Sequence, residues 1–443
     1  MKIIRHEGKY PSGLLESLWP MHKALQAIDA AIVRGEKRAF FGRGEEWKRI
    51  RNFLQTDLLS PAAANGYLPG VIRAAELASK GAPACSANLN DYLHRCAFDM
   101  FTAVMFGELL EVADPNTPTD PVNLQFVTHA TNFVATDAKS LFSPSDAIWN
   151  LVFQRQTEKI TSMVESANVT FAITRTKIQA FQAAMEAGTL TELQQQSYLA
   201  GAMKRFQEQV EASTSSKEDK PIDEELLVNI CWAMLTASVD TTSGVMAWAL
   251  VHAALNPDMQ DKLRQELQAN MTEGGSLSPD IFTKRANVPY LNAFLRESHR
   301  VTPSVTMSMT KEVNQDIEIH GVTIPANNKF GFDQYSLQME PALLEGDPHA
   351  FNPERWFPGA VETRKGTPSE IIDHPFFKDP FSQGARKCPG SRVAMNEVFC
   401  FLSQLILDYD IRCPSYASYT EIPYTMEGVL TPVLPPLEFT PRK

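Results

Sequence analysis

The stretch FSQGARKCPG, residues 381–390, places a single cysteine, Cys388, in a loop where glycine and proline break regular structure. An apolar, helix-prone run follows from Arg392. A thiol just before a helix lies near the positive end of the helix dipole and near unpaired backbone N–H groups, so we expect it to ionise readily. Thiolates in such places act as nucleophiles or as soft-metal ligands. A buried structural cysteine in a helix-capping loop is the alternative.

The order Phe-x-x-Gly-x-Arg-x-Cys-x-Gly in this stretch resembles the haem-binding loop of the cytochrome P450 family. The resemblance implies a mainly α fold with small β-sheets that carries haem b. It implies that Cys388 is the thiolate ligand of the haem iron. It also implies that Phe381 and Gly390 contact the haem and that Arg386 binds one of its propionates.

Composition excludes several other classes of protein. Hydrophobic residues make up 44% and charged residues 21% of the 443 residues, as in globular chains with a large core. The net charge of −11 argues against nucleic acid as the main partner. The six cysteines form no CxxC pair and the nine histidines no HExxH motif, so we expect reduced, intracellular thiols and no zinc site.

Apolar residues at spacings of three and four predict mostly helix. The predicted helices span residues 45–59, 88–110, 149–186, 193–211, 223–255 and 257–271. Strand-like patterns occupy residues 315–320, 321–325 and 329–334, and the tail from residue 414 suggests a hairpin. No composition shift divides the chain, so we expect one large domain over residues 1–443. Within it, residues 211–222 would be a surface linker and residues 357–390 a Pro/Gly-rich meander with the cysteine loop.

Glu297 and Arg300 lie three residues apart and can pair on one helix face. Such pairs usually form at a solvated surface, so the spacing alone is a weak signal. The family resemblance adds that a Glu-x-x-Arg helix and the arginine of a Pro-Glu-Arg-Trp turn, here Arg355, form a structural triad. One carboxylate that holds two guanidinium groups would fix the meander to the helical core.

The pair Asp240-Thr241 lies in the middle of the longest apolar stretch, residues 226–255, and makes a membrane-spanning helix improbable. An acid beside an alcohol in an apolar helix is costly unless it faces a cavity, water or a partner. A threonine hydroxyl bonded to the preceding turn, with Asp240 in a salt bridge, is one interpretation. Residues 237–242 also resemble the family's oxygen-activation segment, although Ser238 replaces the usual glycine. That resemblance implies that Asp240 connects to solvent while Thr241 hydrogen-bonds dioxygen, so that the pair relays protons.

Trp47 and Arg51 lie four residues apart on one predicted helix face. An amphipathic helix with a half-buried indole explains the pattern by itself. The pattern also resembles the family's Trp-x-x-x-Arg segment, which implies that both side chains hold a haem propionate. Lys311 falls where the family commonly has a propionate-binding arginine, and it would keep the charge without the bidentate fork.

Residues 374–376, 104–108 and 7–11 resemble the mitochondrial-type branch of the family. That branch hydroxylates sterols, steroids and secosteroids with electrons from a small acidic ferredoxin. The implied basic docking face comprises Arg296, Lys387 and Arg392. The implied location is the mitochondrial inner membrane, with the endoplasmic reticulum as the alternative.

Family members normally begin with a targeting peptide or membrane anchor, a first helix and the opening strands of the main sheet. We recognise none of these before the segment at residues 7–11, so we expect a chain truncated at its N-terminus. Membrane association would then depend on the missing segments or on peripheral ones.

The functional hypothesis is a haem-thiolate monooxygenase that uses O₂ on an apolar small molecule, since the candidate pocket segments at residues 233–237, 301–309 and 428–431 are apolar. A peroxide-rearranging haem-thiolate isomerase or dehydratase is an alternative, and such enzymes can dispense with the acid–alcohol pair. A non-catalytic haem- or sterol-binding protein is another. A cysteine hydrolase would need a base beside Cys388, and His374 gives no sign of one.

Overall fold

The computed structural model describes residues 3, 6–8, 11, 44–141, 149, 152–153, 155, 157–213, 223–273, 275–305, 309–426 and 429–442. Helices dominate this part of the chain, and their bounds are α1 Gly44–Leu59, α2 Pro61–Gly66, α3 Leu68–Ser79, α4 Leu89–Phe106, α5 Pro121–Leu141, α6 Glu158–Glu186, α7 Glu192–Gln195, α8 Tyr198–Ser213, α9 Glu224–Leu255, α10 Pro257–Gln268, α11 Pro279–Thr283, α12 Pro289–Val301, α13 Gln334–Gln338, α14 Pro358–Arg364, α15 Pro375–Lys378 and α16 Ser391–Asp408.

The strands of the described residues form two-stranded antiparallel sheets. Their bounds are β1 Met309–Glu312, β2 Ile317–Ile319, β3 Val322–Ile324, β4 Lys329–Phe332, β5 Tyr409–Arg412, β6 Tyr424–Met426, β7 Leu430–Pro432 and β8 Glu438–Pro441. β1 pairs with β4, β2 with β3, β5 with β8 and β6 with β7. The fold is therefore mainly α with small β-sheets, as the sequence predicts.

Helix α9 runs through the core and carries the acid–alcohol pair. It begins after Asp223, whose side chain accepts a 2.7 Å hydrogen bond from the backbone N–H of Leu226. Its apolar residues lie on all sides, which is typical of a helix buried in a large core. Helices α4, α5, α6 and α16 pack against it. No helix among the described residues combines the length and apolar character needed to cross a bilayer.

Helix α4 ends where the backbone requires glycine. Gly107 follows it with φ of 66°, the left-handed conformation that glycine adopts without strain. A Cβ atom at Gly107 would lie 2.5 Å from backbone atoms of Gln194. The predicted helix over residues 88–110 is therefore too long by one turn.

Local capping explains two further differences from the predicted elements. The predicted helix over residues 193–211 is two helices, because the Ser197 hydroxyl accepts from Ala200 N–H and starts α8 there. The strand predicted over residues 329–334 stops at Phe332, because the Asp333 carboxylate accepts from Ser336 N–H and starts α13.

Other predicted boundaries differ in length. The helix predicted over residues 149–186 begins at Glu158, after Thr157, whose hydroxyl accepts from Ile160 N–H; residues 150–151, 154 and 156 lie outside the described part. α8 extends to Ser213, and the rest of the predicted linker over 211–222 also lies outside it.

The hairpin of β2 and β3 agrees with the predicted strand-like pattern. Ile319 pairs with Val322 across a two-residue turn in which His320 and Gly321 both have positive φ, 49° and 79°. Turns of this kind match the twist of antiparallel strands. The tail also forms the suggested hairpin, where β6 pairs with β7.

The meander runs from a 3₁₀ helix at Pro353–Trp356 through α14 and α15 to the cysteine loop. Arg364 at the end of α14 donates to both oxygens of the Asp373 carboxylate, at 3.0 and 2.8 Å. A bidentate pair of this kind fixes the relative position of two irregular segments. The segment that leads into the cysteine loop therefore has a fixed position relative to α14.

Candidate active site

A cavity of about 350 Å³ lies between α9 and the cysteine loop. Thr241 of α9 lines it, and so do Phe381, Cys388 and Gly390 of the cysteine loop. Most of the remaining lining side chains are apolar, among them Phe101, Met234, Val245, Val305 and Val398. A cavity of this size and character is typical of sites for cofactors and apolar small molecules.

The cysteine loop is closed by its own backbone. Cys388 N–H donates a 2.9 Å hydrogen bond to the Phe381 carbonyl, and Lys387 N–H donates to the Gly384 carbonyl at 3.1 Å. Gly384 has φ of 85° and Ser382 has φ of 67°. A serine in this conformation is strained, and such residues concentrate at functional sites. The loop therefore holds the thiol in place at a cost in backbone energy.

The expectation that Cys388 ionises readily is wrong for the thiol in this structure. Burial raises its pKa, and this effect outweighs the Gly390 N–H and the charges of Arg51 and Lys387, which lower it. A thiol that coordinates a metal cation is deprotonated by the metal itself. Cys388 is therefore suited to ligate a cation inside the cavity rather than to attack a substrate as a free thiolate.

The donor set fits iron held in a porphyrin. Among the residues that the structure describes, no group of three or more His, Cys, Asp or Glu side chains could hold a metal ion. A structural zinc site needs four protein ligands, whereas haem brings four nitrogens and needs one axial ligand from the protein. One cysteine at the edge of an apolar cavity meets that requirement.

Cations gather beside the loop, as the sequence predicts. The guanidinium carbon of Arg386 lies 4.1 Å from the centre of the Trp47 ring, a cation–π contact. Arg386 also donates to the Pro11 carbonyl at 2.7 Å, and Arg51 donates to the Lys387 carbonyl. Arg386 lines the cavity. Trp47 is 2% exposed, so it is buried rather than half-buried.

Lys311 lies apart from the cavity lining. Its ammonium group is 3.0 Å from Glu7 and donates to the Gln383 carbonyl, at a buried position. Lys311 thus ties β1 to the cysteine loop. Its role as a haem contact stays a prediction.

Glu297 holds the predicted triad together. Arg300 donates to both oxygens of its carboxylate, at 3.0 and 2.8 Å, and Arg355 Nε lies 3.4 Å from Oε1. Two further donors are Asn352 N–H at 3.1 Å and Trp356 Nε1 at 2.8 Å. The Glu297 side chain is fully buried, so these donors replace its hydration. The spacing that predicts the triad gave no signal for the last two donors.

In the structure, the Thr241 hydroxyl bonds to the preceding turn of α9 and Asp240 pairs with a histidine. This is the simpler of the two interpretations of the sequence. The Thr241 hydroxyl donates to the Ala237 carbonyl at 2.9 Å. The Asp240 carboxylate turns toward α4, where its Oδ1 lies 2.8 Å from His94 Nε2. Thr241 lines the cavity and Asp240 does not. His94 is 146 positions away in sequence, so no local pattern could have paired it with Asp240.

Glu397 is a second residue that sequence reasoning missed. It lies on α16, lines the cavity and is 1% exposed. Burial raises the pKa of its carboxyl to about 8, and a hydrogen bond with Thr242 lowers it by less. Among the residues that the structure describes, none hydrogen-bonds to its Oε1. A neutral carboxylic acid therefore stands beside the cavity near pH 7.

The three cations of the expected docking face are not equally available. Arg296 is half-buried, with its guanidinium carbon 5.5 Å from the centre of the Trp356 ring. Lys387 is paired with Asp379. Arg392 is exposed and donates to the Leu59 carbonyl at 2.8 Å. The docking face stays a prediction, and Arg392 is its most accessible member.

Parts of three segments quoted from the sequence lie outside the described residues. These are 9–10 within 7–11, 306–308 within 301–309 and 428 within 428–431.

The family model for cytochrome P450 matches residues 26–438. The chain therefore belongs to the cytochrome P450 family, the haem-thiolate monooxygenases, and the predicted family and enzyme class are confirmed. The mitochondrial sterol 26-hydroxylase of Oryctolagus cuniculus is 26% identical over 423 residues, which cover 92% of this chain and 72% of that protein.

Two other relatives show the range of the similarity. The mitochondrial 25-hydroxyvitamin D-1 alpha hydroxylase of Homo sapiens is 24% identical over 427 residues, covering 93% of this chain and 76% of that protein. Geraniol 8-hydroxylase of Swertia mussotii is 28% identical over 198 residues, covering 45% and 38%. The predicted likeness to mitochondrial members is confirmed by the relatives matched over most of the chain.

Proposed function

We propose that this monooxygenase hydroxylates a sterol, a steroid or a related apolar lipid: RH + O₂ + 2e⁻ + 2H⁺ → ROH + H₂O. The observation that carries the proposal is the mostly apolar cavity that Cys388 and Thr241 both line. The similarity to a sterol hydroxylase and a vitamin D hydroxylase over more than nine-tenths of the chain supports the substrate class. The same relatives support a mitochondrial location.

When bound, haem supplies the redox chemistry that activates dioxygen. Cys388 would ligate its iron, and Phe381 and Gly390 would lie against the ring. Arg386 would bind a propionate, supported by Trp47 and Arg51. Lys311 would contribute only if it leaves Glu7.

The remaining residues of the cavity would serve the substrate and the protons. Phe101, Met234 and Val305 would bind an apolar molecule and exclude water from it. The Thr241 hydroxyl lines the cavity next to Asp240 in sequence, so this pair would hold and move protons there. Glu397 would stay neutral.

A small acidic ferredoxin is the proposed electron donor. Arg296, Lys387 and Arg392 would form the basic face that receives it. In a chain of net charge −11, a local basic patch would steer an acidic partner to one side of the protein.

The test of haem ligation is the absorption spectrum of the reduced, carbon monoxide-bound protein. We expect the thiolate-type Soret band in the wild type and in the matched control Cys85→Ala, whose thiol does not line the cavity. Cys388→Ala should lose the band. A wild-type protein that binds haem without this band would contradict thiolate ligation.

The test of turnover uses the haem-loaded protein with a ferredoxin, its reductase and NADPH. A panel of sterols, steroids and secosteroids should give hydroxylated products that carry one atom of ¹⁸O₂. Turnover of a lipid peroxide without reductant would instead indicate the isomerase or dehydratase. Haem and sterol binding with no turnover would indicate a binding protein.

A further inference from the structure

His94 on α4 and Asp240 on α9 form a partly buried pair. His94 Nε2 lies 2.8 Å from Asp240 Oδ1, and His94 Nδ1 lies 2.6 Å from the Asn90 carbonyl oxygen. The two side chains are 16% and 20% exposed. Each ring nitrogen therefore faces an oxygen, and solvent reaches the pair only at its edge.

The geometry fixes how many protons the pair holds. A carbonyl oxygen can only accept, so Nδ1 carries a hydrogen and donates it to Asn90. Nε2 then meets a carboxylate, and two facing lone pairs at 2.8 Å would repel each other. A second hydrogen must lie between Nε2 and Oδ1, so the pair is an imidazolium beside a carboxylate.

The electrostatic surroundings agree with this assignment. Burial lowers the pKa of His94, but the hydrogen bond and charge of Asp240 raise it, with smaller contributions from the Asn90 carbonyl and from Asp91, and the net pKa is raised. Asp91 is itself paired with Arg95 on α4 at 2.8 Å.

Several charged or titratable groups on the other helices that pack against α4 have partners of their own. These pairs are Arg73 with Glu76 on α3, His129 of α5 with Ser166, Arg205 of α8 with Asp57, and Glu397 of α16 with Thr242.

We propose that His94 is a positioning residue for the acid–alcohol pair, holding the Asp240 carboxylate against α4 and away from the cavity in a proton-dependent clasp. This inference rests on the proposed function. Successive residues of a helix point about 100° apart, which is why Thr241 lines the cavity while Asp240 faces α4. The carboxylate must leave His94 to act beside the Thr241 hydroxyl.

Loss of the Nε2 proton opens the clasp. The neutral ring keeps its hydrogen on Nδ1, bonded to Asn90, and its Nε2 lone pair then repels the carboxylate. The clasp is closed below the pKa of His94 and opens as the pH rises through it. Asp240 is released toward the cavity only in the second state.

The first test is an NMR titration of the ¹⁵N-histidine-labelled holoprotein in its diamagnetic ferrous carbon monoxide state, with His94→Gln to assign the signal. We expect both nitrogens of His94 protonated at pH 6, and a pKa that is lower in Asp240→Asn than in the wild type. An unchanged pKa in Asp240→Asn, or an unprotonated Nε2 at pH 6, overturns the clasp.

The second test is the ratio of product formed to NADPH consumed between pH 5.5 and 8.5. In the wild type this ratio should rise through the pKa measured for His94. His94→Gln and His94→Phe should lose the inflection, and His94→Phe should reach the high ratio even at low pH. The control His129→Gln, on α5, should keep the wild-type profile.

The two tests separate this inference from the proposed function. A protein without haem or turnover refutes the proposed function, and the titration of His94 can still be done on it. An active haem-thiolate protein whose pH inflection survives in His94→Gln refutes the clasp alone. A purely structural role of His94 would lower the amount of folded protein and leave the inflection in place.

Discussion

The indole Nε1 of Trp356 donates a 2.8 Å hydrogen bond to Oε2 of Glu297. This bond adds a neutral donor from the meander to a carboxylate that already holds two guanidinium groups. Glu297 therefore joins α12 to the segment that leads into the cysteine loop through side-chain and backbone donors alike.

Removing the carboxylate should cost much more stability than removing the indole donor. Glu297→Ala leaves Arg300 and Arg355 buried without their partner, and we expect a loss of about 3–5 kcal/mol in the free energy of unfolding. Trp356→Phe removes one hydrogen bond to a charged acceptor, for a loss of about 1.5–3 kcal/mol. Urea unfolding of the holoprotein measures both. Equal losses in the two variants would contradict the central place of Glu297.

Haem retention should depend on Arg386. Arg386→Ala removes a cation that lines the cavity and stacks on Trp47. A hydrogen bond to a charged group contributes about 1.5–3 kcal/mol, so haem should dissociate roughly tenfold faster or more. Transfer of haem to apomyoglobin measures the rate. Arg73→Ala, a surface change on α3, is the control, and equal rates for the two variants would exclude Arg386 as a propionate partner.

Glu397 should make stability depend on pH. Its pKa is 4.5 in the ordinary state and about 8 in the folded protein, so the folded state binds more protons between these values. Stability therefore falls as the pH rises from about 4.5 to about 8. Glutamine does not titrate, so Glu397→Gln lacks this loss. Its free energy of unfolding at pH 7 should exceed that of the wild type by on the order of 3 kcal/mol.

The difference in the free energy of unfolding between Glu397→Gln and wild type should shrink as the pH falls and approach zero below pH 4.5, where the folded and unfolded wild-type chains both hold the proton. Urea unfolding of both proteins at several pH values measures it. A difference that does not change with pH would mean that Glu397 titrates normally in the folded protein.

Reversal of charge should discriminate among the cations of the docking face. Arg392→Glu should raise the KM for an acidic ferredoxin about tenfold at low salt, with little effect on kcat, because exposed charges act mainly on encounter. Lys387→Glu should have a smaller effect on encounter, since Lys387 is already paired with Asp379. Both effects should weaken with ionic strength. Unchanged KM values would place the donor on another surface.

The sequence predicts the parts of the site that depend on spacing along the chain. Glu297 and Arg300 pair on one helix face, and Arg355 joins them as predicted. Trp47 contacts Arg386 and Arg51 contacts Lys387, whereas their role at a haem propionate stays a prediction. Contacts between distant segments gave no such signal. His94 meets Asp240 only because α4 packs against α9, and the neutral state of Glu397 follows from burial that no local pattern reveals.

The thiol of Cys388 is a second example of a property that depends on contacts between distant segments. Its place before α16 predicts a lowered pKa, because the helix dipole is readable from the sequence. The desolvation that raises the pKa of Cys388 instead depends on how closely other segments surround the loop. Local electrostatics could be predicted and burial could not.

Gly107, which follows α4, limits the sequences that this fold tolerates. Gly44 and Gly107 share nearly the same positive φ, 67° and 66°. Beyond its neighbours in the chain, no other described residue lies within 4 Å of a Cβ atom at Gly44, whereas a Cβ atom at Gly107 would meet the backbone of Gln194. Asparagine, which accepts this conformation, can replace the first and not the second. In a saturation mutagenesis library, functional clones should carry glycine, asparagine or aspartate at position 44, and glycine alone at position 107.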